Sequence, residues 1–331
     1  MNIDNKAYTS TSNPNRKNKA KVPDGEVSTK PEMKIAEAID DFKLMAKVDG
    51  RANETINQYK YVLGRFTDYY FQEIEIGVIT TKNVRKYLAA LIDEGLKNTT
   101  VAIHYRVLNR FFNWLLGENY LFENPLEPIN EPETPNIFPK VLNEEQVTLL
   151  LQAAKNRQRE WANKRNHTML VVFVDMGLRL SELINAQLDD LDMKRRSLKV
   201  KGKGAKDRKE FFGIRTFRAL KKWLRVIGNV ERVWDDTVFI SQKGEKLKKR
   251  NIQRLISRIQ KSAGLEDVKI SPHVLRHTAA TLEVQNSQDA FSLETQFGWE
   301  QIDTALKYVY LSRKKLEENY RNCSPVDNLE S

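Results

Sequence analysis

The sequence predicts a mainly α-helical protein of two domains, with a small antiparallel β-sheet in the second domain. Apolar residues recur at helical spacing over residues 34 to 123, and a proline-rich stretch follows them. Beyond this stretch, helical patterns continue to about residue 325 and enclose one hairpin pattern. The length of 331 residues fits the same division, since about 150 residues per domain is typical.

The charge balance favours a polyanionic partner. The chain has 55 Lys and Arg against 44 Asp and Glu, a formal net charge of +11. Nucleic acid is favoured over a membrane surface, because the sequence has no lysine-rich amphipathic helix with a lipid-like apolar face. On charge alone, a merely soluble basic protein is the alternative. Since no run of about 18 apolar residues and no signal-like start are present, a cytoplasmic protein without membrane contact is expected.

Cysteine and histidine usage predicts no metal and no cofactor. The single cysteine, Cys323, excludes an internal disulfide and a thiolate metal cluster. The four histidines show no His-Glu-x-x-His spacing. The acidic run at residues 189 to 192 is more typical of a turn than of a two-metal site.

The first domain is predicted to be a compact bundle of four helices. Residues 1 to 33 before it are polar and predict a flexible tail, because they bury too little to offset their ordering entropy. Within residues 34 to 123, Asn53 and Thr81 begin the second and third helices, and Gly95 ends the third. The fourth helix is expected over about residues 98 to 116.

Basic side chains occupy polar positions of these helices and are candidates for contacts with the phosphates of a duplex. For any one of them, an ordinary exposed helix charge is the alternative. The candidates are Lys60, Arg65, Lys86, Arg106 and Arg110.

Residues 124 to 140 contain five prolines without periodicity and predict an extended linker. The second domain, residues 141 to 325, begins with Asn143 as a helix N-cap and Gln146 as its back-bonding partner. Residues 197 to 213 predict a hairpin and residues 238 to 240 a short strand. Further helices are predicted at about 165 to 177, 180 to 184, 216 to 227, 250 to 263, 274 to 286, 292 to 298, 301 to 308 and 312 to 322, before a tail at 326 to 331.

Several residues of the second domain suit phosphoryl transfer. Arg179 precedes a helix, and His273 and Arg276 share a helical face, so two arginines could bind one phosphate. Tyr308 is a candidate nucleophile, because a phenol can form a covalent phosphoester and later leave. Lys203, in a Gly-Lys-Gly turn, is a candidate proton donor. Glu182 lies three residues after Arg179 and is expected to orient a charged neighbour.

Taken together in this order, the motifs resemble those of the tyrosine recombinase family, also called phage integrases. The resemblance covers about residues 36 to 325. It rests on Gly177-Leu178-Arg179-Leu180-Ser181-Glu182-Leu183, Gly202-Lys203-Gly204, His273-Val274-Leu275-Arg276-His277-Thr278, Gly298-Trp299 and Tyr308.

This resemblance implies a role for each matching position. Arg179 and Arg276 would bind the scissile phosphate, and Tyr308 would attack it to give a 3′-phosphotyrosyl link. Lys203 would protonate the leaving 5′ oxygen. His273 would assist proton movement or hydrogen-bond the phosphate. Because the covalent link conserves bond energy, rejoining would need neither metal nor ATP.

Position 299 departs from the pattern of many members, which have histidine where this chain has Trp299. Indole is a donor only, so Trp299 is expected to bind a non-bridging oxygen and to pack. Lys206 and Arg208 rival Lys203 on the hairpin, but contacts with backbone phosphates are expected of both.

Two more basic residues, Lys248 and Arg250, are candidate DNA contacts, with a solvated turn as the alternative. The resemblance implies a two-domain DNA clamp made of a helical core-binding (SAM-like) domain and a catalytic domain. Its partners would be double-stranded DNA with a specific recombination site and three further protomers, a tetramer on two sites associated with the bacterial nucleoid. Accessory DNA-bending proteins remain open, as does whether residues 312 to 331 pack on a neighbouring protomer.

Two other functions compete with site-specific recombination or integration. A type IB topoisomerase-like enzyme would use the same residues but only relax one duplex. A catalytically inert DNA-binding protein of the same fold would bind without forming a covalent adduct.

Overall fold

The structure, a computed structural model, describes residues 33–70, 74–135, 139–156, 160–202, 207–228, 236–286 and 289–311. The predicted N-terminal tail up to residue 32, Lys203, Lys206 and the predicted helix at 312 to 322 lie outside these ranges. The chain divides into two compact units, residues 1–136 and 137–331. Across the described ranges, no helix has both the length and the apolar character needed to cross a bilayer.

The first unit contains the four predicted helices around an aromatic core. They are α1 (Ile35–Val48), α2 (Asn53–Tyr70), α3 (Thr81–Asp93) and α4 (Asn98–Gly117), with a 3-10 turn at Ile76–Val78. Phe42, Phe66, Phe111 and Phe112 are fully buried at the centre. Rings from three different helices therefore make up much of this core, and Phe42 packs edge-on against Phe111.

Local chemistry sets the ends of α3. Thr80 is its N-cap, accepting a hydrogen bond from the Asn83 backbone, while the Asn83 side chain accepts one from the Thr80 backbone. After α3, Gly95 has a φ of +81°, a left-handed conformation that glycine adopts without strain.

The residues at both edges of this unit pack more closely than a tail and an extended linker would. Met33, assigned to the tail, is buried in the core, and its carbonyl accepts from the Ile76 N–H at 3.0 Å. Leu126, assigned to the linker, is fully buried. The Tyr105 hydroxyl donates to the Ile129 carbonyl at 2.8 Å, so the first part of the predicted linker belongs to this unit.

The second unit is built around helix α6, which packs against α5, α8 and α10. Its helices are α5 (Glu144–Lys155), α6 (Glu160–Met176), α7 (Leu180–Asn185), α8 (Ile214–Ile227), α9 (Lys249–Ser262), α10 (Pro272–Gln285), α11 (Ala290–Phe297) and α12 (Ile302–Leu311). The predicted capping box opens α5, where Asn143 and Gln146 exchange hydrogen bonds at 3.1 and 2.8 Å. The mainly helical fold class with a small sheet is therefore confirmed.

The sheet has three antiparallel strands in the order β1 (Leu191–Asp192), β2 (Ser197–Lys201) and β3 (Asp207–Phe211). β2 and β3 form the predicted hairpin, with Lys199 opposite Lys209. The predicted strand at residues 238 to 240 is wrong. This segment makes only isolated bridges, Gln187 with Thr237 and Ile240 with Lys246, because its partner segments run alongside it too briefly for a ladder.

Candidate active site

Two segments of the second unit, α10 and the turn before α7, bring the predicted arginines to the junction between α11 and α12. Arg276 on α10 is 4% exposed, and its guanidinium donates to the Gly177 carbonyl at 2.6 Å and to the Phe297 carbonyl. Arg179, the N-cap of α7, donates to the Gly298 carbonyl at 3.0 Å. Both guanidinium planes are therefore fixed by main-chain oxygens, with two of the five N–H groups of Arg276 used in this way.

Two glycines of the motifs are required by this packing. Gly177, directly after α6, has a φ of +57°, and a Cβ there would lie 2.4 Å from Cε1 of Phe297. Gly298, the C-cap of α11, has a φ of +56°, and its Cβ would lie 3.1 Å from Cδ of Arg208. A side chain at position 177 would clash with the Phe297 ring, and one at position 298 would crowd the Arg208 side chain, while both would adopt a left-handed conformation that favours glycine.

Glu182 and Arg208 form a buried ion network next to Arg179. Glu182 accepts from Arg179 Nη1 at 2.8 Å and from Arg208 at 2.9 and 3.1 Å. Burial alone would raise the pKa of Glu182, but the bonds and charges of Arg208 and then Arg179 outweigh it and lower this pKa to about 2. Glu182 is thus a carboxylate held between Arg179 and Arg208, and its predicted role in orienting a charged neighbour stays a prediction.

Arg208 lies within this network, although a contact with backbone phosphates was expected of it. Its side chain is 11% exposed, and it also donates to Glu210 at 2.6 Å and to the Gln296 carbonyl at 2.8 Å. The reason is the two-residue period of β3, which turns positions 208 and 210 to the same inner face. Arg208 is therefore a positioning residue that ties Glu182 to the end of α11.

Two further carboxyl groups are buried next to this network. Burial raises the pKa of Glu210 to about 7, although Arg208 opposes the shift. Burial, followed by the nearby charges of Glu210 and Asp175, raises the pKa of Glu283 to about 8, while Gln296 donates to its Oε1 at 2.9 Å. Sequence reasoning did not single out either residue, because each looks like an ordinary charge on a strand or helix.

Tyr308 is enclosed by aromatic rings. Its side chain is 2% exposed and stacks on Trp299, with ring centroids 5.2 Å apart and an interplanar angle of 2°. Trp299 in turn stacks on Phe297, and the Arg276 guanidinium lies 5.8 Å from the Trp299 ring centroid. Burial raises the pKa of Tyr308 to about 12, partly offset by the charge of Arg276. The expected packing role of Trp299 agrees with this arrangement.

His277 contacts the Tyr308 hydroxyl through Nδ1 and was not among the predicted site residues. Its Nε2 lies 2.9 Å from Nε2 of His273, one helical turn earlier on α10. Burial lowers the pKa of both imidazoles, with added repulsion from Arg276, and that of His277 falls to about 4. The four-residue spacing of the two histidines was the available signal, because it puts them on one helical face.

The other predicted DNA contacts that the structure describes lie outside this cluster. Arg65 and Arg106 pair with Glu94 and Glu131 at 2.5 and 2.6 Å, and Arg65 is partly exposed. Of the residues described, six predicted contacts are exposed: Lys60, Lys86, Arg106, Arg110, Lys248 and Arg250. Within the same ranges, no group of three or more His, Cys, Asp or Glu side chains is arranged to hold a metal ion.

Six side chains from four parts of the second unit therefore form one cluster: two fixed guanidinium groups, a buried phenol, two neutral imidazoles and an indole. Such a cluster can bind a phosphate bidentately and place an oxygen nucleophile beside it. Six residues that the sequence predicted for the site lie in this cluster or contact it: Arg179, Glu182, His273, Arg276, Trp299 and Tyr308.

Comparisons with known proteins agree with this cluster. Residues 140–315 match the family described as Phage integrase family, and residues 39–121 match its N-terminal SAM-like domain. The tyrosine recombinase XerC of Thermodesulfovibrio yellowstonii is 29% identical over 84% of this chain and 92% of that relative. XerD of Proteus mirabilis is 29% identical over 83% of this chain and 88% of that relative.

A solved structure has the same fold. It is the XerH site-specific recombinase bound to its palindromic difH substrate in a post-cleavage complex, with a TM-score of 0.71. It is 24% identical and covers 86% of this chain and 83% of its own. Together, the fold and the cluster define the class of protein: enzymes that break and rejoin DNA strands with a tyrosine. Since the family match spans more than half of the chain, this protein belongs to the phage integrase family, the tyrosine recombinases.

Proposed function

We propose that the chain cleaves, exchanges and rejoins duplex DNA at specific sites through a 3′-phosphotyrosyl intermediate on Tyr308. One observation carries this proposal: the buried Tyr308 hydroxyl belongs to the same cluster as the fixed guanidinium groups of Arg179 and Arg276. The two arginines bind the scissile phosphate and neutralise the charge that develops as the phenol attacks. Glu182 keeps Arg179 in this orientation.

The remaining roles follow from the chemistry of each side chain. Lys203 donates a proton to the leaving 5′ oxygen, and the same group takes it back during rejoining. The indole N–H of Trp299 hydrogen-bonds a non-bridging phosphate oxygen. His273 lies on the exposed side of the histidine pair and hydrogen-bonds the phosphate. The phosphotyrosyl link retains the bond energy, so the proposed reaction needs neither metal nor ATP.

Basic side chains on both units hold the duplex by its phosphates, in the form of a two-domain clamp. The residues proposed for this role are Lys60, Arg65, Lys86, Arg106, Arg110, Lys206, Lys248 and Arg250. Strand exchange between two sites requires four cleavages, one for each strand, so a tetramer of this chain on two duplexes is the proposed assembly. It would act on the nucleoid in the cytoplasm, alone or with DNA-bending proteins.

The test begins by letting the protein choose its site. The full chain is incubated with sheared genomic DNA of its source organism, and covalent protein–DNA adducts are isolated under denaturing conditions and sequenced. A nicked suicide duplex built on the recovered site is then incubated with wild-type protein and with Tyr308→Phe. We expect an adduct, formed in the presence of EDTA and removed by protease, that Tyr308→Phe lowers by at least about 10³-fold.

Three outcomes would contradict the proposal. Tight binding without an adduct would identify an inert DNA-binding protein. An adduct that persists in Tyr308→Phe would move the nucleophile to another residue, first to Tyr310. Relaxation of supercoiled DNA without recombinant product, measured with two sites on one plasmid, would favour a topoisomerase-like enzyme.

A further inference from the structure

The contact between His277 and the Tyr308 hydroxyl has no role in the mechanism above. His277 is the residue after Arg276 on α10 and is partly buried beneath His273. Its two ring nitrogens have different partners: Nδ1 meets the phenol oxygen of Tyr308, and Nε2 meets Nε2 of His273 at 2.9 Å. These contacts form a continuous chain from the buried nucleophile to the exposed imidazole.

Deprotonation of Tyr308 before the reaction is unfavourable. Its pKa is raised to about 12 by burial, so at pH 7 only about one phenol in 10⁵ is ionised. The proton therefore has to leave as the oxygen attacks, and an acceptor must touch that oxygen. Nδ1 of His277 touches it, and the imidazole is neutral near pH 7 because burial, His273 and Arg276 lower its pKa.

Proton counting fixes the state of both rings. The two facing Nε2 atoms share one proton, so one ring donates and the other accepts. If the phenol donates to Nδ1 of His277, then Nε2 of His277 carries a proton and donates it to His273. Nδ1 of His273 then carries the second ring's proton. All three groups are neutral in this arrangement, and each hydrogen bond runs from the nucleophile outward.

We propose that His277 is a further catalytic residue, the base that takes the proton of Tyr308 and relays one to His273 during cleavage. The inference rests on the proposed function. As the bond from the phenol oxygen to phosphorus forms and the bond to the 5′ oxygen breaks, the phenol proton moves to Nδ1 of His277. The proton on Nε2 of His277 moves to Nε2 of His273, which becomes an imidazolium beside the bound phosphate. Rejoining reverses both transfers.

The test compares variants of His277 that separate a base from a spacer. His277→Asn keeps a hydrogen-bonding atom near the position of Nδ1 but cannot take a proton, and His277→Ala removes both. His167→Asn is the matched control, since it changes another partly buried histidine of the same unit, on α6. Single-turnover adduct formation on the suicide duplex is measured for each, with thermal unfolding as the check on folding.

We expect His277→Asn and His277→Ala to slow adduct formation by about 10²-fold or more, with His167→Asn at the wild-type rate. Replacing Tyr308 with a fluorinated tyrosine of lower phenol pKa should restore most of the lost rate in His277→Asn, since a more acidic phenol needs less help from a base. A purely structural role for His277 would leave the fluorinated variant as slow as its parent.

A second measurement keeps His277 in place, in case its variants do not fold. In ¹⁵N-histidine spectra of the wild type, His277 should be the tautomer with its proton on Nε2, and Tyr308→Phe should shift its Nδ1 resonance. A wild-type rate in His277→Asn, or a proton on Nδ1, would overturn the relay while leaving the adduct and its loss in Tyr308→Phe intact. Failure of the wild type to form any adduct would instead overturn the proposed function.

Discussion

The two units of the chain differ in where their ion pairs lie: the described pairs of the first unit are at its surface, whereas the second unit also has a buried network. In the first unit, the side chains of the Arg106–Glu131 pair are 57% and 46% exposed, and the core is aromatic. In the second unit, the side chains of the Arg208–Glu182 pair are 11% and 5% exposed. Removing ions from water costs several kcal/mol each unless partners compensate. The buried pair lies next to Arg179, so the second unit keeps buried charge at the candidate site, whereas the described ion pairs of the first unit are partly or fully exposed.

The largest expected effect comes from removing the centre of that network. Arg208→Ala leaves Glu182 and Glu210 buried without their shared partner and should destabilise the second unit by about 3–5 kcal/mol. Arg106→Ala, which breaks an exposed pair of the first unit, should cost less than about 1 kcal/mol. Native-state hydrogen exchange resolves the two units separately. Equal losses of unfolding free energy in Arg208→Ala and Arg106→Ala would contradict this difference between the two units.

Glycine substitution tests how closely the second unit is packed around the arginines. Gly177→Ala combines left-handed strain with a Cβ 2.4 Å from the Phe297 ring, and should cost about 2–4 kcal/mol. Gly95→Ala in the first unit has a similar φ, +81°, but no atom within 4 Å of the added Cβ, so only the strain of about 1 kcal/mol should remain. The two losses of unfolding free energy are measured by chemical denaturation, with hydrogen exchange as the probe of each unit. A loss in Gly177→Ala as small as that in Gly95→Ala would argue against the close contact between position 177 and the Phe297 ring.

The buried acid Glu283 should make the second unit sensitive to pH. Its folded-state pKa of about 8 lies above its ordinary value of 4.5, so the folded state retains the proton longer than the unfolded state. The stability that it contributes is fully present below about pH 4.5 and is lost as the pH rises through 8. Glu283→Gln should remove this part of the dependence and raise the Tm at pH 8.5 by a few degrees, at roughly 2–4 °C per kcal/mol.

Scanning calorimetry at pH 5.5 and 8.5 checks this prediction, with Glu266→Gln, an exposed loop residue of the same unit, as the control. A Tm difference between the two pH values that is unchanged in Glu283→Gln would show that other groups cause it.

The smallest effects are expected at the exposed basic residues. If Lys248 contacts one phosphate, Lys248→Ala should lower the slope of log K against log salt by about 0.9, and Lys60→Ala in the first unit should do the same. Lys261→Ala, an exposed change in the last turn of α9, should leave the slope unchanged. Binding isotherms at four salt concentrations measure these slopes. Unequal slopes for Lys248 and Lys60 would show that the two units do not share the duplex equally.

Structural features that depend on a few neighbouring residues were predicted from the sequence. Features that depend on contacts with distant segments were not. The Asn143–Gln146 cap and the four helices of the first unit follow from local hydrogen bonds and helical periodicity. The burial of Arg208 depends on which face of β3 turns inward. An Arg and a Glu two residues apart on one strand share a face, but this spacing alone does not tell which face of β3 is buried.

The arrangement of the site was only partly predictable for a similar reason. Motif order identified Arg179, Arg276 and Tyr308, yet nothing in the sequence indicates that the arginines bind the carbonyls at the end of α11. His277 shares a helical face with His273, but its contact with Tyr308 requires α12 to return to α10.

The arginines bind the α11–α12 junction through the backbone oxygens of Phe297 and Gly298, and this has a consequence for how the site tolerates sequence change. Every amino acid supplies the same carbonyl, so the identity of the next side chain does not enter the bond that orients either guanidinium. Exchanging Trp299 for histidine would therefore change the side chain that packs on Tyr308 and leave the two hydrogen bonds that hold the guanidinium groups in place.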